Sequence, residues 1–450
     1  MQFTNLQKKD YRTYTFTLSP SHVTYANTLR RLILTGVQTV AFRSDMTSTG
    51  STTDVLVKKN DTPMTNEMLA DRIGLLPIYV ADPSTWKDNS YLFTLKVTGD
   101  KDSTTYVKSN NFKITKVSEH PELDEEEVVV TTETFFPPNP ITRDTCLIAT
   151  LQPAAIPQSI EIVAKATKGT GREHARFCPV SQCTYEYTLD STPKKIEEMF
   201  SKWMTVTKKV GVIDKASKRY EELQREFNTM QIKRCYQMNA KGEPFSYDFT
   251  IESAGVLDVP YIVAQACEVG ENMCSRYVTF ARGDVPADIT ITSADTRIIG
   301  FDFLFRGHDH TLGNLLQTWL VEHHIEGNAE PRITYAGYCV PHPLRDEMLL
   351  RIGVEDGEES TARMAIAEAA KGCVQMFRDM LSAWRSANGI PLPQGIESSK
   401  PLRKRGPSVG NAATNASSAA ASAATSAAAT TSANASASAN ASMSANAFKQ

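Results

Sequence analysis

Histidines are the residues of this chain with the clearest capacity for metal chemistry. Five of the eight histidines fall in one stretch: His308, His310, His323, His324 and His342. A His-x-His pair and a His-His pair would be zinc ligands if the fold brought them together, so a zinc-dependent hydrolase is one alternative function. Against it, His323 and His324 point to different faces of a helix. His310 stands at a helix entry, where an imidazole packs or caps without metal.

A second candidate for chemistry is a basic segment at residues 168–176, which reads KGTGREHAR. It places Lys168, Arg172 and Arg176 near two glycines but lacks the GxxxxGK[ST] spacing of a phosphate-binding loop. We predict a turn that presents basic side chains to a partner protein. A catalytic site built on two Mg²⁺ ions would need clustered aspartates to hold them, and no DxDxD-type run occurs. We therefore assign no catalytic residue, cofactor or metal to this chain.

The bulk composition describes a globular chain with protein partners. Hydrophobic residues make up 41% and charged residues 22% of the 450 residues, as in globular proteins, and the length favours about three domains. The 48 basic and 51 acidic residues nearly balance, whereas a protein that holds nucleic acid by itself is usually basic. There is no apolar run of about eighteen residues to span a membrane. The eight scattered cysteines form no CxxC pair, which favours a reducing compartment.

Two segments far apart in the chain repeat one pattern. They read VTYANTLRRLI in the first half and HDHTLGNLLQTWL in the second. An offset of 287 residues superposes Thr24 on Thr311, Asn27 on Asn314 and Leu29 on Leu316. Apolar residues recur at helical spacing in both segments, which predicts two helices. Thr24 and Thr311 are the predicted N-caps, because a threonine hydroxyl accepts an orphan N–H of the first turn.

Each half continues with a predicted hairpin and a second amphipathic helix. The hairpin strands read IKRCYQM and FSYDFTIES in the first half, and RITYAGYCV and EMLLRIGVE in the second. The helices begin near Pro260 and Thr361. Strand, helix, hairpin and helix make an α+β module with its helices on one face of a small sheet. One such layer leaves an apolar face uncovered, and a second copy would cover it.

Two further regions do not follow the repeat. Residues 45–232 contain strand-like runs such as YLFTLKVTG and SIEIVAKAT, which predict an inserted β-rich domain. Between Gly406 and Phe448 there is no charged residue and little but Ala, Ser, Asn and Thr, which predicts disorder. The preceding KPLRKRG is a nuclear localisation signal, a phosphate contact or a solvated linker. It supports a second alternative function, that of a nucleic-acid-binding regulator.

These motifs resemble a family of RNA polymerase subunits. DHTLGNLLQTWL followed by YAGYCVPHPLRDEMLLRI is similar to the archaeal L subunit and its eukaryotic counterparts. ANTLRRLILTGVQTVAF, TNEMLADRIGLLPI, GREHARFCPVSQCTYEY and FTIESAG are similar to the archaeal D subunit and the third-largest subunit of RNA polymerase II. Both are related to the N-terminal domain of the bacterial alpha subunit. Their fusion in one chain resembles the arrangement in large nucleocytoplasmic DNA viruses.

The resemblance implies a fold: two alpha-like dimerisation modules paired within one chain, with a β-rich domain inserted in the first and a disordered C-terminal tail. The implied division is a D-like module at 1–44 and 233–278, the insert at 45–232, a linker at 279–287, an L-like module at 288–390, and a basic linker with the tail at 391–450. We expect a monomer in isolation, because fusion raises the effective concentration of the second half.

The resemblance also implies a role in DNA-directed transcription. The chain would be a non-catalytic platform for the two largest polymerase subunits and small zinc-bearing polymerase subunits, reaching DNA only through the complex and having no membrane contact. The implied location is a host nucleus or a cytoplasmic virus factory, with packaging in the virion as a further option.

Two groups of residues are the candidate sites. The face that pairs the modules is predicted to contain Leu29, Ile33, Val37, Leu315, Trp319, Leu320, Phe377 and Leu381. The face toward a large subunit is predicted to contain Arg30, Arg31, Arg172 and Arg176. Arg30 and Arg31 interrupt the apolar pattern of their helix, and arginine pairs bidentately with carboxylates. A solvated helix edge is the alternative for these two arginines.

Overall fold

A computed structural model describes most of the chain, within one compact unit. The described residues are 1–45, 54–117, 128–211, 213–283, 285–294 and 297–389. The predicted basic linker and disordered tail at 391–450 lie outside them. None of the helices in these ranges combines the length and apolar character that a membrane span requires.

Runs of strands are separated by helices along the described chain. The strands are β1 (Gln2–Lys8), β2 (Thr13–Ser19), β3 (Gln38–Ala41), β4 (Val55–Asn60), β5 (Tyr91–Thr98), β6 (Thr105–Lys108), β7 (Phe112–Lys116), β8 (Val129–Val130), β9 (Leu147–Leu151), β10 (Ser159–Lys165), β11 (Thr167–Thr170), β12 (Val180–Tyr187), β13 (Tyr247–Ser253), β14 (Ile289–Ser293), β15 (Gly300–Arg306), β16 (Tyr335–Cys339) and β17 (Glu347–Gly353). The helices are α1 (Val23–Thr35), α2 (Asn66–Gly74), α3 (Pro193–Val206), α4 (Lys218–Met230), α5 (Val259–Ser275), α6 (His310–Leu320) and α7 (Glu359–Ala387). A π-helical turn, Val321–Ile325, extends α6.

Two four-stranded antiparallel sheets have the same topology. The first module has the strand order β1-β2-β13-β12 with helices α1 and α5, and the second has β14-β15-β17-β16 with α6 and α7. The offset of 287 residues that relates the repeated motifs also carries Thr13–Ser19 onto Gly300–Arg306. The predicted α+β fold, with two alpha-like modules paired in one chain, is confirmed.

The first module differs from the prediction in one strand. The predicted partner of β13, near Ile232–Met238, is instead a 3₁₀ turn at Ile232–Arg234 followed by isolated bridges. The partner is β12, which lies inside the range predicted for the insert. The burial of β12 alternates less regularly than that of β13, and a local pattern identifies a strand without choosing its partner. The predicted β16–β17 hairpin is present.

Two excursions leave the first sheet. Between α1 and β12, a five-stranded sheet of order β4-β10-β5-β7-β8 covers a core of its own with α2, and two-stranded sheets β3–β11 and β6–β9 lie beside it. Between β12 and β13, helices α3 and α4 form a hairpin around the buried Phe200, Trp203 and Phe227. Neither excursion has a counterpart in the second module.

The repeated helices are capped by other residues than the predicted threonines. The ring Nδ1 of His22 accepts the N–H of Thr24 at 3.2 Å, and the carboxylate of Asp309 accepts the N–H of Thr311 at 2.8 Å. Both threonines are therefore in the first turn and not at the N-cap. Threonine was predicted because it is a favourable cap residue by type. In both helices the residue two places earlier, His22 or Asp309, also carries a suitable acceptor. The threonine hydroxyls are left for other contacts.

Candidate functional site

A single apolar core joins the two modules. We call the surface where α1 and α5 meet α6 and α7 the seam. The residues predicted to form it all belong to this core: Leu29, Ile33, Val37, Leu315, Leu320 and Phe377 are buried, and Trp319 and Leu381 are partly buried against it. Since the same core includes both four-stranded sheets, neither module buries its helical face alone.

The longest helices of the two modules, α5 and α7, approach closely along the seam. A Cβ atom added to Gly270 would lie 2.6 Å from the ring of Phe377, so the helices pack at a distance that a larger residue would prevent. Farther along α7, the indole N–H of Trp384 donates to the carbonyl of Pro260 at 2.9 Å. The ring of Trp384 also packs edge-on against Phe16 in the first sheet. This half of the seam is mainly apolar.

Ion pairs border this apolar contact. Arg378 pairs with Glu271 at 2.7 Å, and Arg385 pairs with Glu268 at 2.8 Å, each joining α7 to α5. These pairs are partly exposed. Because exposed pairs contribute little free energy, the apolar contact between the two helices outweighs them.

Helices α1 and α6 meet through the polar residues of the repeat. The hydroxyl of Thr318 donates to the hydroxyl oxygen of Thr24 at 3.0 Å, and the amide of Asn314 donates to the same oxygen at 3.4 Å. The phenol of Tyr25 donates to Glu322. Burial and this carboxylate both raise the pKa of the Tyr25 phenol, so it stays neutral. The repeated motif is therefore where one module recognises the other.

The connection between the modules is built into the second one. The buried Tyr277 and Phe280 pack edge-on against Phe305 and Phe303 of β15. The guanidinium of Arg363, on α7, lies 4.9 Å from the Phe280 ring centre and donates to the Phe280 carbonyl. The predicted linker at 279–287 thus begins as part of the seam.

A polar cluster fixes the other side of this connection. The Tyr277 hydroxyl donates to Asp288 at 3.0 Å and lies 2.7 Å from Nε2 of His308. Burial lowers the pKa of His308, while Asp288 opposes that shift. The neutral form of His308 is therefore the one that contacts Tyr277 at the connection between the modules.

The four arginines predicted to face a large subunit have different surroundings. Arg31 donates to Thr311 at 2.8 Å and pairs with Asp309 at 3.1 Å, both in the second module. Arg172 also reaches that module, donating to the carbonyl of Gly307 and pairing with Asp346 at 3.0 Å. Both side chains therefore tie the first half of the chain to the second.

The other two arginines stay within the first half. The side chain of Arg176 is 4% exposed and donates to the Phe42 carbonyl and to Ser44. Arg30 is half-buried, donates to Asn27 at 3.0 Å and lines a shallow groove beside β12. Among the described residues, Arg30 has no carboxylate within ion-pair distance. The other three each pair with a carboxylate of this chain.

The five histidines of the zinc alternative do not converge. His308 contacts Tyr277, the ring of His323 stacks on Trp319, and His324 bonds to the Pro331 carbonyl. His310 lies near Tyr338, and His342 bonds to the N–H of Leu344. The described residues contain no group of three or more metal-ligating side chains. The hydrolase alternative has no support.

Sequence reasoning missed the connection residues Tyr277, Phe280 and Arg363. A signal was present, because the connection reads YVTFARGDVPAD and its two aromatic residues stand three apart, the spacing of one helical face. In a solvated linker, large aromatic side chains would be exposed to water, so their presence predicts a packed connection. Asp309 was missed because its neighbour Thr311 fitted the cap prediction.

Comparison with known proteins matches both halves of the chain. Two family models, each described as an RNA polymerase Rpb3/Rpb11 dimerisation domain, match residues 15–274 and 301–383. The first match spans the insert as well as the first module, and the second covers the repeated helix, the hairpin and most of α7.

Individual relatives show the same division. The human DNA-directed RNA polymerases I and III subunit RPAC1 is 27% identical over 289 residues, which is 56% of this chain and 77% of the relative. The DNA-directed RNA polymerase subunit Rpo3 of Methanobrevibacter smithii is 24% identical over 286 residues, 60% of this chain and 94% of the relative. Subunit Rpo11 of Thermococcus kodakarensis is 33% identical over 86 residues, 19% of this chain and 84% of the relative.

Proposed function

Because this chain belongs to the RNA polymerase Rpb3/Rpb11 dimerisation family, we propose that it is the non-catalytic assembly subunit of a DNA-directed RNA polymerase. The observation that carries the proposal is the seam: two family modules share one apolar core inside one chain. Relatives that match the two halves are separate polymerase subunits. This chain supplies both as a ready-made pair and functions in transcription with other polymerase subunits.

We further propose the two largest polymerase subunits and small zinc-bearing subunits as its partners, with Arg30 as a contact to one large subunit. The proposal rests on Arg30 lying half-buried beside β12 without a carboxylate partner in the described structure. A buried or half-buried charge is costly unless a partner pairs with it. A carboxylate of a large subunit would supply that pairing.

Affinity purification of the tagged chain from cells that contain the polymerase tests this function. We expect two very large subunits to co-purify, and polymerase activity to co-purify with them. Arg30→Ala should lower their recovery, while Arg219→Ala, at an exposed site on α4, should not. Recovery of the tagged chain without large subunits would overturn the proposed function; equal recovery with both variants would overturn the role of Arg30 alone.

We propose that the isolated chain is a monomer, since its pairing faces are already buried against each other. Sedimentation velocity at low micromolar concentration should give a single species of 49.7 kDa. A stable dimer of twice that mass, in which each half pairs with the other molecule, would contradict it.

For the domain division, we propose the boundaries given above with β12 counted in the first module.

For the location, we propose a host nucleus or a cytoplasmic virus factory, with virion packaging as an option. The basic stretch Lys400–Arg405 motivates the nuclear alternative. A fluorescent fusion in infected cells tests it: replacing these basic residues by alanine should abolish nuclear accumulation, and unchanged accumulation would refute that role.

A further inference from the structure

A cleft of about 770 Å³ lies where the insert meets the first module. Its walls are the turn between β1 and β2, the insert segment at 133–146, and the chain that leads into α5. This volume is within the range of ligand-binding clefts, roughly 300–1,000 Å³. The residues that line it all belong to the first module and the insert, so module pairing does not account for the cleft.

Tyrosines and prolines line much of the cleft. Tyr11, Tyr14 and Tyr79 face a proline-rich segment that includes Pro137 and Pro138. Surfaces built from aromatic rings and prolines are those that bind extended peptides in the polyproline II conformation, since such peptides lose little conformational freedom on binding. The shape and lining of the cleft therefore favour an extended peptide over a compact ligand.

Arg12 supplies a positive charge at the edge of this cleft. Its guanidinium lies 5.0 Å from the centre of the Tyr11 ring. It also lies over Gly255, where an added Cβ would be 3.0 Å from the guanidinium and the φ of +93° disfavours other residues. In the described parts of the chain, the guanidinium has no hydrogen-bond acceptor and no carboxylate within ion-pair distance, although the nearby charge of Asp10 acts on it. The arginine is held in place by stacking, with its donors unused.

The hydroxyl of Thr145 is a second polar group without a partner. Thr145 lines the same cleft, and its buried Oγ1 atom finds no hydrogen-bond partner among the described residues. A buried polar atom without a partner costs free energy unless a bound molecule or water satisfies it. Thr145 is thus an observation, independent of Arg12, that points to a bound ligand or water at this wall of the cleft.

The charges in the cleft decide which ligand fits. Glu133 and Asp258 line it as well, and Asp144 is paired with Lys108 at 2.7 Å. Glu133 and Asp258 have no ion-pair partner among the described residues, and two such carboxylates against one arginine repel a polyanion such as nucleic acid or a polyphosphate. A ligand with one carboxylate, and otherwise apolar or basic groups, is compatible with all three charges.

We propose that this cleft binds an extended segment of a partner polymerase subunit, with proline or other apolar side chains against the tyrosines and one carboxylate paired with Arg12. The segment also supplies a hydrogen bond to the Thr145 hydroxyl. The inference rests on the proposed function, because the segment belongs to another subunit of the assembly. It adds the partner chemistry of a surface distinct from Arg30 and the seam.

Site-specific cross-linking in the purified assembly tests this proposal. A photoreactive p-benzoylphenylalanine replaces Thr134, an exposed residue of the cleft, and mass spectrometry identifies the cross-linked peptide. We expect one partner segment that contains Asp or Glu. Arg12→Ala should lower its yield about tenfold, the loss expected for a charge-assisted hydrogen bond. Arg12→Lys, which keeps the charge, should lower it less, and the exposed-site control Arg219→Ala should leave it unchanged.

Thr145→Val separates binding from folding. We expect this substitution to lower the yield of the cross-linked peptide and to preserve the melting temperature of the isolated chain. If the hydroxyl binds no ligand, the substitution should raise or preserve stability and leave the cross-link yield unchanged. A cross-link to nucleic acid, no cross-linked partner peptide, or a yield insensitive to Arg12→Ala would overturn the inference. These results leave the proposed function intact whenever the large subunits co-purify, and failure of co-purification would overturn both.

Discussion

The two halves of the seam hold the modules together by different physical means. Helices α5 and α7 meet through Gly270 and the ring of Phe377, at a distance set by the absence of a side chain. Helices α1 and α6 meet through hydroxyl and amide groups around Thr24. Apolar contact area provides most of the pairing free energy, whereas buried polar groups penalise any arrangement that leaves them unpaired. One half therefore supplies strength, and the other restricts which module can pair.

The largest loss is expected from the apolar half. Phe377→Ala should lower the unfolding free energy by about 3–5 kcal/mol, because it removes a buried ring and leaves a cavity beside Gly270. The control is Phe227→Ala, an equally buried phenylalanine in the small cluster of α3 and α4. Urea denaturation should show a global loss for Phe377→Ala and a local one for Phe227→Ala. A global loss of equal size in the control would remove the distinction.

A smaller loss is expected from the polar half. Thr24→Val keeps the shape but leaves Thr318 and Asn314 without the oxygen they donate to, which costs about 1–3 kcal/mol. Thr229→Val is a matched control, since this helical hydroxyl is exposed and donates only within α4 among its described contacts. Thermal melting of the two variants makes the comparison. If Thr24→Val cost more than Phe377→Ala, the assignment of strength to the apolar half would be wrong.

The sequence predicted the elements of the modules better than their partners. Helical periodicity identified α1, α5, α6 and α7, because a buried face imposes its period on the residues that form it. Runs of β-branched and aromatic residues, broken by Pro or Gly, identified β13, β16 and β17. The same patterns carry no information on which edge of β13 is occupied by β12. That choice depends on where the chain returns after two excursions, and a local pattern does not record it.

The arginines show a similar limit at the candidate site. An arginine on an otherwise apolar helix face predicts a carboxylate partner. The sequence does not show whether that carboxylate belongs to the same chain or to another protein. Arg31 finds Asp309 in its own chain, whereas Arg30, one position earlier, faces β12. Successive helical residues point about 100° apart, so neighbours in sequence belong to different surfaces. The position of α6 beside α1 is what gives Arg31 a carboxylate within the chain, and the sequence around the two arginines does not record that position.

Arg31→Ala should have a modest effect on the isolated chain. The Arg31 and Asp309 side chains are 33% and 36% exposed, and ion pairs of this kind contribute about 0.2–1 kcal/mol. A double-mutant cycle with Asp309→Asn, which keeps the helix cap, measures their coupling. A coupling energy of zero would mean that the pair does not contribute to the seam. Arg30→Ala should leave stability unchanged and so separates pairing from partner binding.

Acidification should weaken the connection between the modules through the buried ring of His308, without removing any contact. Burial lowers the pKa of His308 below that of the unfolded chain. The unfolded state therefore binds more protons as the pH falls through about 6.5, the ordinary histidine pKa. The unfolding free energy should fall in that window and level off below the folded pKa.

Charged groups around His308 also shift its pKa. Asp288 and Asp309 favour the protonated ring, while Arg276 and Arg172 oppose it. His324 contributes in the same direction, since burial lowers its pKa as well. Urea midpoints from pH 7.5 to 5.5 should therefore shift less in His308→Gln than in the parent, and the exposed-site control His342→Gln should match the parent. Identical slopes in all three would show that His308 does not titrate with unfolding.

The smallest effect is expected from cutting the chain itself. A protease site placed after Gly283 breaks the connection beyond Phe280, where Arg363 already holds the carbonyl and the ring. Since the aromatic contacts and the seam remain, the two fragments should sediment together as one 49.7 kDa species after cleavage. Phe280→Ala combined with cleavage should let them separate at lower protein concentration. Fragments that separate immediately after cleavage, without any further substitution, would mean that covalent fusion and not the seam keeps the modules paired.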